Sequence, residues 1–322
     1  MAPPSPEIPN LQGTQHKRVT VHNSHGEELV GVLHETNSLE LVIICHGFKS
    51  SKDRIPMVNL ADAFEKEGIS AFRFDFAGNG ESEGSFQYGN YRREADDLRA
   101  IVEHFHEEER FIATIVGHSK GVCVVLFGGW RYHYTGTACA VYLTDVSWTM
   151  LLFDLRGNVV LLYASSYKDV DAVVNISGRF NLERGIEGRL GRDFKEKIKH
   201  DGFIDVRNRK GRFEYRVTEK SLMDRLTTDI RGACQNIPNR CRVLTVHGSM
   251  DEMVPVEDAM EFAKNVPNHK LQIIEGADHE FTSHQDELSS AVLAFVKVDL
   301  RGNYMAMPSQ SCKPSGHIHS RL

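Results

Sequence analysis

The sequence predicts an α/β fold, a mostly parallel, doubly wound sheet with an inserted helical cap. Short apolar runs alternate with helix-period stretches along most of the chain, the pattern of a parallel sheet flanked by helices. The run Phe111-Ile112-Ala113-Thr114-Ile115-Val116 passes directly into Gly117-His118-Ser119-Lys120-Gly121, a strand followed by a GxSxG turn. A basic, helix-prone stretch over about 180–237 then breaks the alternation between two sheet strands, which is where a cap would be inserted.

Taken in order, 18–22 and 28–34 read as an antiparallel hairpin across Ser24-His25-Gly26. A buried-strand run over 39–45 ends in His46-Gly47. Helical spacing follows over 56–67, then a strand over 70–75 and an amphipathic helix from Tyr91 to about His106. The strand over 111–116 feeds the GxSxG turn. Later strands read at 171–176, 242–247 and 270–274, with helices around 257–265 and 285–297. In such a sheet ligands bind outside the carboxyl ends of the strands. The domain is expected to span 17–298, between a proline-rich lead-in over 1–16 and a Ser-, Pro- and His-rich tail over 299–322, both read as disordered.

Forty-one per cent hydrophobic and 25% charged residues in a 322-residue chain describe an ordinary globule, and a net charge of −6 leaves no basic footprint for nucleic acid. The start of the chain lacks the basic and apolar regions of a secretory signal. The most apolar stretch, 122–162, is broken by Arg131, Asp145, Asp154 and Arg156, so no membrane span is expected. The six cysteines are scattered without CxxC spacing, which argues against a zinc site or a disulfide framework and suits a reducing, cytoplasmic location. Neither a metal nor a cofactor is expected.

A serine hydroxyl is a poor nucleophile until a base takes its proton, and the base needs a carboxylate to fix its tautomer. For a serine on a strand-to-helix turn the chain order is serine, acid, histidine. His247-Gly248-Ser249-Met250-Asp251 places Asp251 in a loop after a strand, with Glu252 and Asp258 as competing acids. Ile274-Glu275-Gly276-Ala277-Asp278-His279 places His279 after the last strand, ahead of the alternative His284. Ser119 is therefore the candidate nucleophile, His279 the base and Asp251 its orienter. The Phe48 and Lys120 amides are the candidate oxyanion donors. Gly80-Glu81-Ser82-Glu83-Gly84 has the same GxSxG spacing but sits between glutamates in a polar stretch, and reads as a turn. The basic residues of the cap read either as a solvated helix face or as a site for an anionic substrate.

With these residues the chain resembles the serine aminopeptidase/monoacylglycerol-lipase-like group of α/β-hydrolases, especially plant esterase-like members. The resemblance rests on Cys45-His46-Gly47-Phe48, Asp75-Phe76-Ala77-Gly78-Asn79-Gly80-Glu81-Ser82, the GxSxG turn, Val246-His247-Gly248-Ser249 with Asp251, and Glu275-Gly276-Ala277-Asp278-His279. It implies hydrolysis of small carboxylic esters, of acylglycerol or feruloyl type, without a cofactor. Acyl transfer to an alcohol is a further possibility for the same site.

The chain departs from that family directly after Gly121. Similar proteins continue Gly-His-Ser-Lys-Gly-Gly-Asn, whereas here Gly121 precedes Val122 and the matching continuation begins at Gly157-Asn158. The segment 122–156 holds both tryptophans of the chain and neither lysine nor glutamate, and reads as an atypical apolar insertion of the kind a translated intron would leave. Two apolar segments, 122–127 and 157–167, then compete for the helix position behind the nucleophile. The alternative expectation is a catalytically impaired splice form or a non-catalytic hydrolase-fold ligand receptor.

Overall fold

The computed structural model describes residues 15–118, 157–208 and 210–306. Ser119, Lys120 and the segment 122–156 lie outside the described residues, as do most of the lead-in and the end of the tail. The strands are β1 (Gln15–His22), β2 (Glu28–Glu35), β3 (Glu40–Cys45), β4 (Ser70–Phe74), β5 (Phe111–His118), β6 (Ala172–Ile176), β7 (Phe203–Arg207), β8 (Phe213–Thr218), β9 (Arg242–Gly248) and β10 (His269–Ile274). The helices are α1 (Ile55–Lys66), α2 (Tyr91–Glu107), α3 (Gly157–Tyr167), α4 (Ile186–Leu190), α5 (Phe194–Asp201), α6 (Glu219–Thr227), α7 (Ile230–Asn236), α8 (Val256–Asn265) and α9 (Gln285–Ala306).

Eight strands form one sheet in the order β1-β2-β4-β3-β5-β6-β9-β10. β1 and β2 pair antiparallel, β2 meets β4 antiparallel, and every later pairing is parallel. The carboxyl ends of β3, β5, β6, β9 and β10 therefore share one edge. The buried faces are nearly continuous apolar runs: Leu41 to Cys45, for example, is 0% exposed throughout, as expected of strands covered on both sides. β5 feeds both cores, Ile112 and Ile115 toward α2 and α3, Ala113 and Val116 toward α1 and α9, and strict alternation breaks where its register with β3 shifts between Leu41 and Val42.

α3 occupies the helix position behind β5, so the later of the two competing segments fills it. Val159, Val160, Leu161, Tyr163 and Ala164 are fully buried in the core shared with α2 and β5. Gly117 permits this closeness, because a Cβ there would lie 2.7 Å from Val160 Cγ1.

The region expected to be a helical cap also contains a β-hairpin. β7 and β8 pair antiparallel around a turn in which the Asn208 side chain accepts from the amides of Lys210 and Arg212, and Gly211 takes φ +72. Asn208 and Lys210 to Arg212 thus lie in a hairpin turn and not a helix, because an Asn that bonds its own downstream backbone favours reversal over helix. α6 begins with a capping box between Thr218 and Ser221. α7 does not join the cap core: Ile230, Cys234 and Ile237 pack with α3 in the main core. At the other end of the chain α9 runs through Asp299 to Ala306 where a tail was expected, there being no proline before Pro308 to stop it.

Candidate active site

Parallel order brings β9 and β10 together, and their trailing loops interlock. Ser249 N–H donates to the Ile274 carbonyl and Met250 N–H to the Ala277 carbonyl, both at 3.0 Å. Gly248 allows the approach, since a Cβ would fall 2.3 Å from the Ala277 oxygen. This crossing carries Asp251 to His279, with 2.7 Å between Asp251 Oδ2 and His279 Nδ1. Both side chains are 1% exposed. The carboxylate fixes the proton on Nδ1 and leaves Nε2 as the basic nitrogen; Nε2 is buried and has no partner among the described residues.

Asp251 is saturated with donors. Oδ1 accepts from the Met253 and Val254 amides at 2.9 and 2.8 Å, and Oδ2 also lies 3.3 Å from His247 Nε2. Burial alone would raise its pKa; the neighbouring imidazoles of His279 and His247 and the Val254 amide outweigh that and hold the carboxyl below its usual range. His118, the last residue of β5, places its ring 5.9 Å from that of His279. Burial pushes the His118 pKa down to about 3, so it is a neutral neighbour.

The alternatives have other duties. Asp258 accepts from the Phe180 amide at 3.0 Å and from Arg184 Nη1 at 2.9 Å, anchoring the cap root. Glu252 points to solvent. His284 lies behind Gly276 at the start of α9. Ser82 is a turn residue as expected: its Oγ donates to the Asp75 carbonyl at 2.6 Å and accepts from the Val30 amide at 2.8 Å.

On the other side of β5, the loop after β3 presents Phe48. Cys45 pairs with Gly117, so this loop leaves the sheet beside the chain that leads to Ser119. His46 Nε2 accepts from the Phe76 amide at 3.1 Å, leaving Nδ1 to donate to the Gly47 carbonyl at 2.6 Å. In a trans peptide the carbonyl and the following N–H point opposite ways, so holding the Gly47 oxygen fixes the direction of the Phe48 N–H. The Phe48 ring packs edge-on against Phe86, Tyr88 and Tyr215, with centroids 4.8, 5.9 and 5.6 Å away, and Arg189 of the cap lies over it at 5.7 Å.

The chain's fold and the matches it makes agree. Residues 36–152 match the family model described as serine aminopeptidase, S33. Est1E from Butyrivibrio proteoclasticus, solved with ferulic acid bound, superposes with a TM-score of 0.64 at 21% identity, covering 88% of this chain and 99% of that one. The chain has the α/β-hydrolase fold. A Pyrococcus furiosus esterase, Pf2001, aligns with this chain at a TM-score of 0.59 and 19% identity, covering 92% of this chain and 97% of that one. An uncharacterized protein of Saccharomyces cerevisiae, YDL057W, is 25% identical over 260 residues, which is 75% of this chain and 69% of the yeast protein.

Among the described residues one group has the makings of a metal site: His16, His34, Asp62 and Glu65 hold ligand atoms within 4.8 Å of one another. Arg73 Nε donates to His34 Nε2 at 3.0 Å, so the His34 proton sits on Nδ1, facing Glu65 at 2.8 Å. The nitrogen a metal would need is thus occupied by a hydrogen bond, and the group is a polar clamp between the sheet edge and α1. Also among the described residues, no helix is long and apolar enough to cross a membrane.

Of the expected site residues, Asp251 and His279 meet, Phe48 stands at the neighbouring strand end, and Ser119 and Lys120 lie outside the described residues directly after His118. The supporting residues His46 and His247 went unassigned in the sequence. Thr245 and His247 are polar on one face of an otherwise apolar buried strand, and that was the available signal.

Proposed function

We propose that the protein is a cytoplasmic serine hydrolase that cleaves small carboxylic esters through an acyl-enzyme on Ser119. His279 Nε2 takes the Ser119 proton as Oγ adds to the ester carbonyl. The resulting oxyanion accepts from the Phe48 and Lys120 amides. His279 then returns the proton to the leaving alcohol, and water repeats the sequence to release the acid. Asp251 keeps the imidazole in the working tautomer throughout. The single observation that carries this reading is the buried 2.7 Å Asp251–His279 pair, with Nε2 unoccupied, at the strand edge where β5 ends.

Hydroxycinnamoyl or acylglycerol esters are the substrate class of this reading. Ferulic acid in Est1E supports the first. The buried thiols Cys45 and Cys234 suit a reducing compartment. A second reading, a non-catalytic receptor or an impaired splice form, is favoured by the apolar segment that follows Gly121.

A fluorophosphonate probe separates the two. Labelling of the wild type but not of Ser119→Ala supports the hydrolase, whereas folded protein that stays unlabelled supports the second reading. A panel of p-nitrophenyl and hydroxycinnamoyl esters then assigns the acyl group, and added alcohol tests for acyl transfer by product partitioning.

A further inference from the structure

Two imidazoles share one carboxylate oxygen. Asp251 Oδ2 lies 2.7 Å from His279 Nδ1 and 3.3 Å from His247 Nε2. His247 Nε2 also lies 2.9 Å from the Val254 carbonyl oxygen. Both atoms facing it are acceptors, so Nε2 carries the His247 proton and donates to the Val254 carbonyl, with its polarised N–H 3.3 Å from Asp251 Oδ2. The ring is fully buried, burial lowers its pKa, and its Nδ1 has no partner among the described residues. His247 is therefore a neutral, fixed donor.

We propose that His247 is a positioning residue for the acid–base pair, holding Asp251 in line with His279 and tempering the basicity of the carboxylate. This rests on the reading of Asp251 and His279 as the acid–base pair of the site. The Val254 carbonyl gives His247 a second grip on the same loop, whose Met253 carbonyl is held from the opposite side by Arg179 Nη2 at 2.5 Å.

A polarised N–H close to an anion lowers its basicity. Removing the His247 donor leaves Asp251 a stronger acceptor, which stabilises protonated His279 and raises the His279 pKa. The other charged or titratable groups facing this cluster keep their places. They are His118 on β5 with Arg54 before α1, Arg179 after β6, and Asp258 on α8.

The test is an NMR titration of the His279 ring in the full chain, assigned with His279→Gln, comparing wild type, His247→Leu and His247→Gln. Glutamine keeps an N–H at about the reach of Nε2; leucine removes it. The His279 pKa should rise by about half a unit or more in the leucine variant and stay within about 0.2 unit of wild type in the glutamine variant. In p-nitrophenyl acetate hydrolysis the acid limb of kcat/KM should move up with it. An unmoved pKa in a folded leucine variant, or equal shifts in both variants, would overturn the proposal. If leucine prevents folding, His247→Phe replaces it as the donorless variant. Because the titration needs no turnover, a shift in a protein that neither labels nor hydrolyses esters would sink the hydrolase reading and leave the role of His247 standing.

Discussion

The side chains of Asp251 and Phe48 are both buried at one edge of one sheet, yet different forces hold them. Asp251 is fixed by three hydrogen bonds, from the Met253 and Val254 amides and the His279 ring, all from the loops that follow β9 and β10, with His247 of β9 3.3 Å from Oδ2. The Phe48 ring is fixed by contact with aromatic rings, one of them, Tyr215, from the cap hairpin, and it belongs to the same hydrophobic cluster as Ile186, Leu190 and Val217 of the cap. The proposed acid–base half of the site is thus held by groups outside the cap's hydrophobic cluster, whereas the proposed oxyanion half is packed into it. Displacing the cap should disturb the placement of the oxyanion donor and leave the basicity of His279 alone.

The largest expected effect lies in the acid–base half. Ser119→Ala, His279→Ala and Asp251→Asn should each lower kcat by about 10³-fold or more, and the double variant Ser119→Ala/His279→Ala should be little worse than either single. Losses that multiply in the double variant would mean that these residues do not act as a unit.

Next in size is the junction behind the nucleophile. Gly117 touches Val160, so β5 and α3 meet as closely as a continuous strand–turn–helix would, although 35 residues from 122 to 156 intervene in sequence. A nucleophile misplaced by about 1 Å can lose about 10²-fold in rate. Deleting 122–156 joins Gly121 to Gly157, and soluble yield and esterase activity should both rise, by up to about that factor for activity. Equal or lower activity and thermal stability in the deletion variant would make the segment an integral part of the fold.

Tyr215→Ala sharpens the comparison. It removes a ring that packs on Phe48 and Phe86 and accepts from Arg189, so the oxyanion loop loses its grip on the cap. We expect kcat to fall about tenfold, less than the loss of a whole oxyanion donor, with the NMR pKa of His279 unchanged. A shifted His279 pKa would show that the two halves are coupled after all.

The same division explains what could be read from the sequence. Asp251 and His279 were legible because each follows a strand run by a few residues, and parallel order alone brings strand ends together. The sheet strands and α1, α2 and α8 were legible from period and flanking turns. The β7–β8 hairpin was not, because its basic turn hid the alternation of Phe203, Asp205 and Arg207 with Ile204 and Val206. The partners of Phe48 were illegible for a deeper reason: Phe86 and Tyr215 lie far from it in sequence and meet it only in the tertiary fold.

The smallest effect is expected at the second GxSxG turn, where the contrast is between two serines of equal spacing. Ser82 Oγ bridges the Asp75 carbonyl and the Val30 amide, tying the turn to β2, and Asp75 in turn accepts from the Lys52 ammonium at 2.8 Å. None of these groups touches Asp251 or His279. Ser82→Ala should therefore leave kcat within about twofold. It removes a donor from one carbonyl and an acceptor from one amide, each partly buried, which costs about 1 kcal/mol and lowers the melting temperature by about 2–4 °C. The pairing of a lowered melting point with intact turnover is what a turn serine gives; a loss of turnover at unchanged stability would move the nucleophile from Ser119 to Ser82.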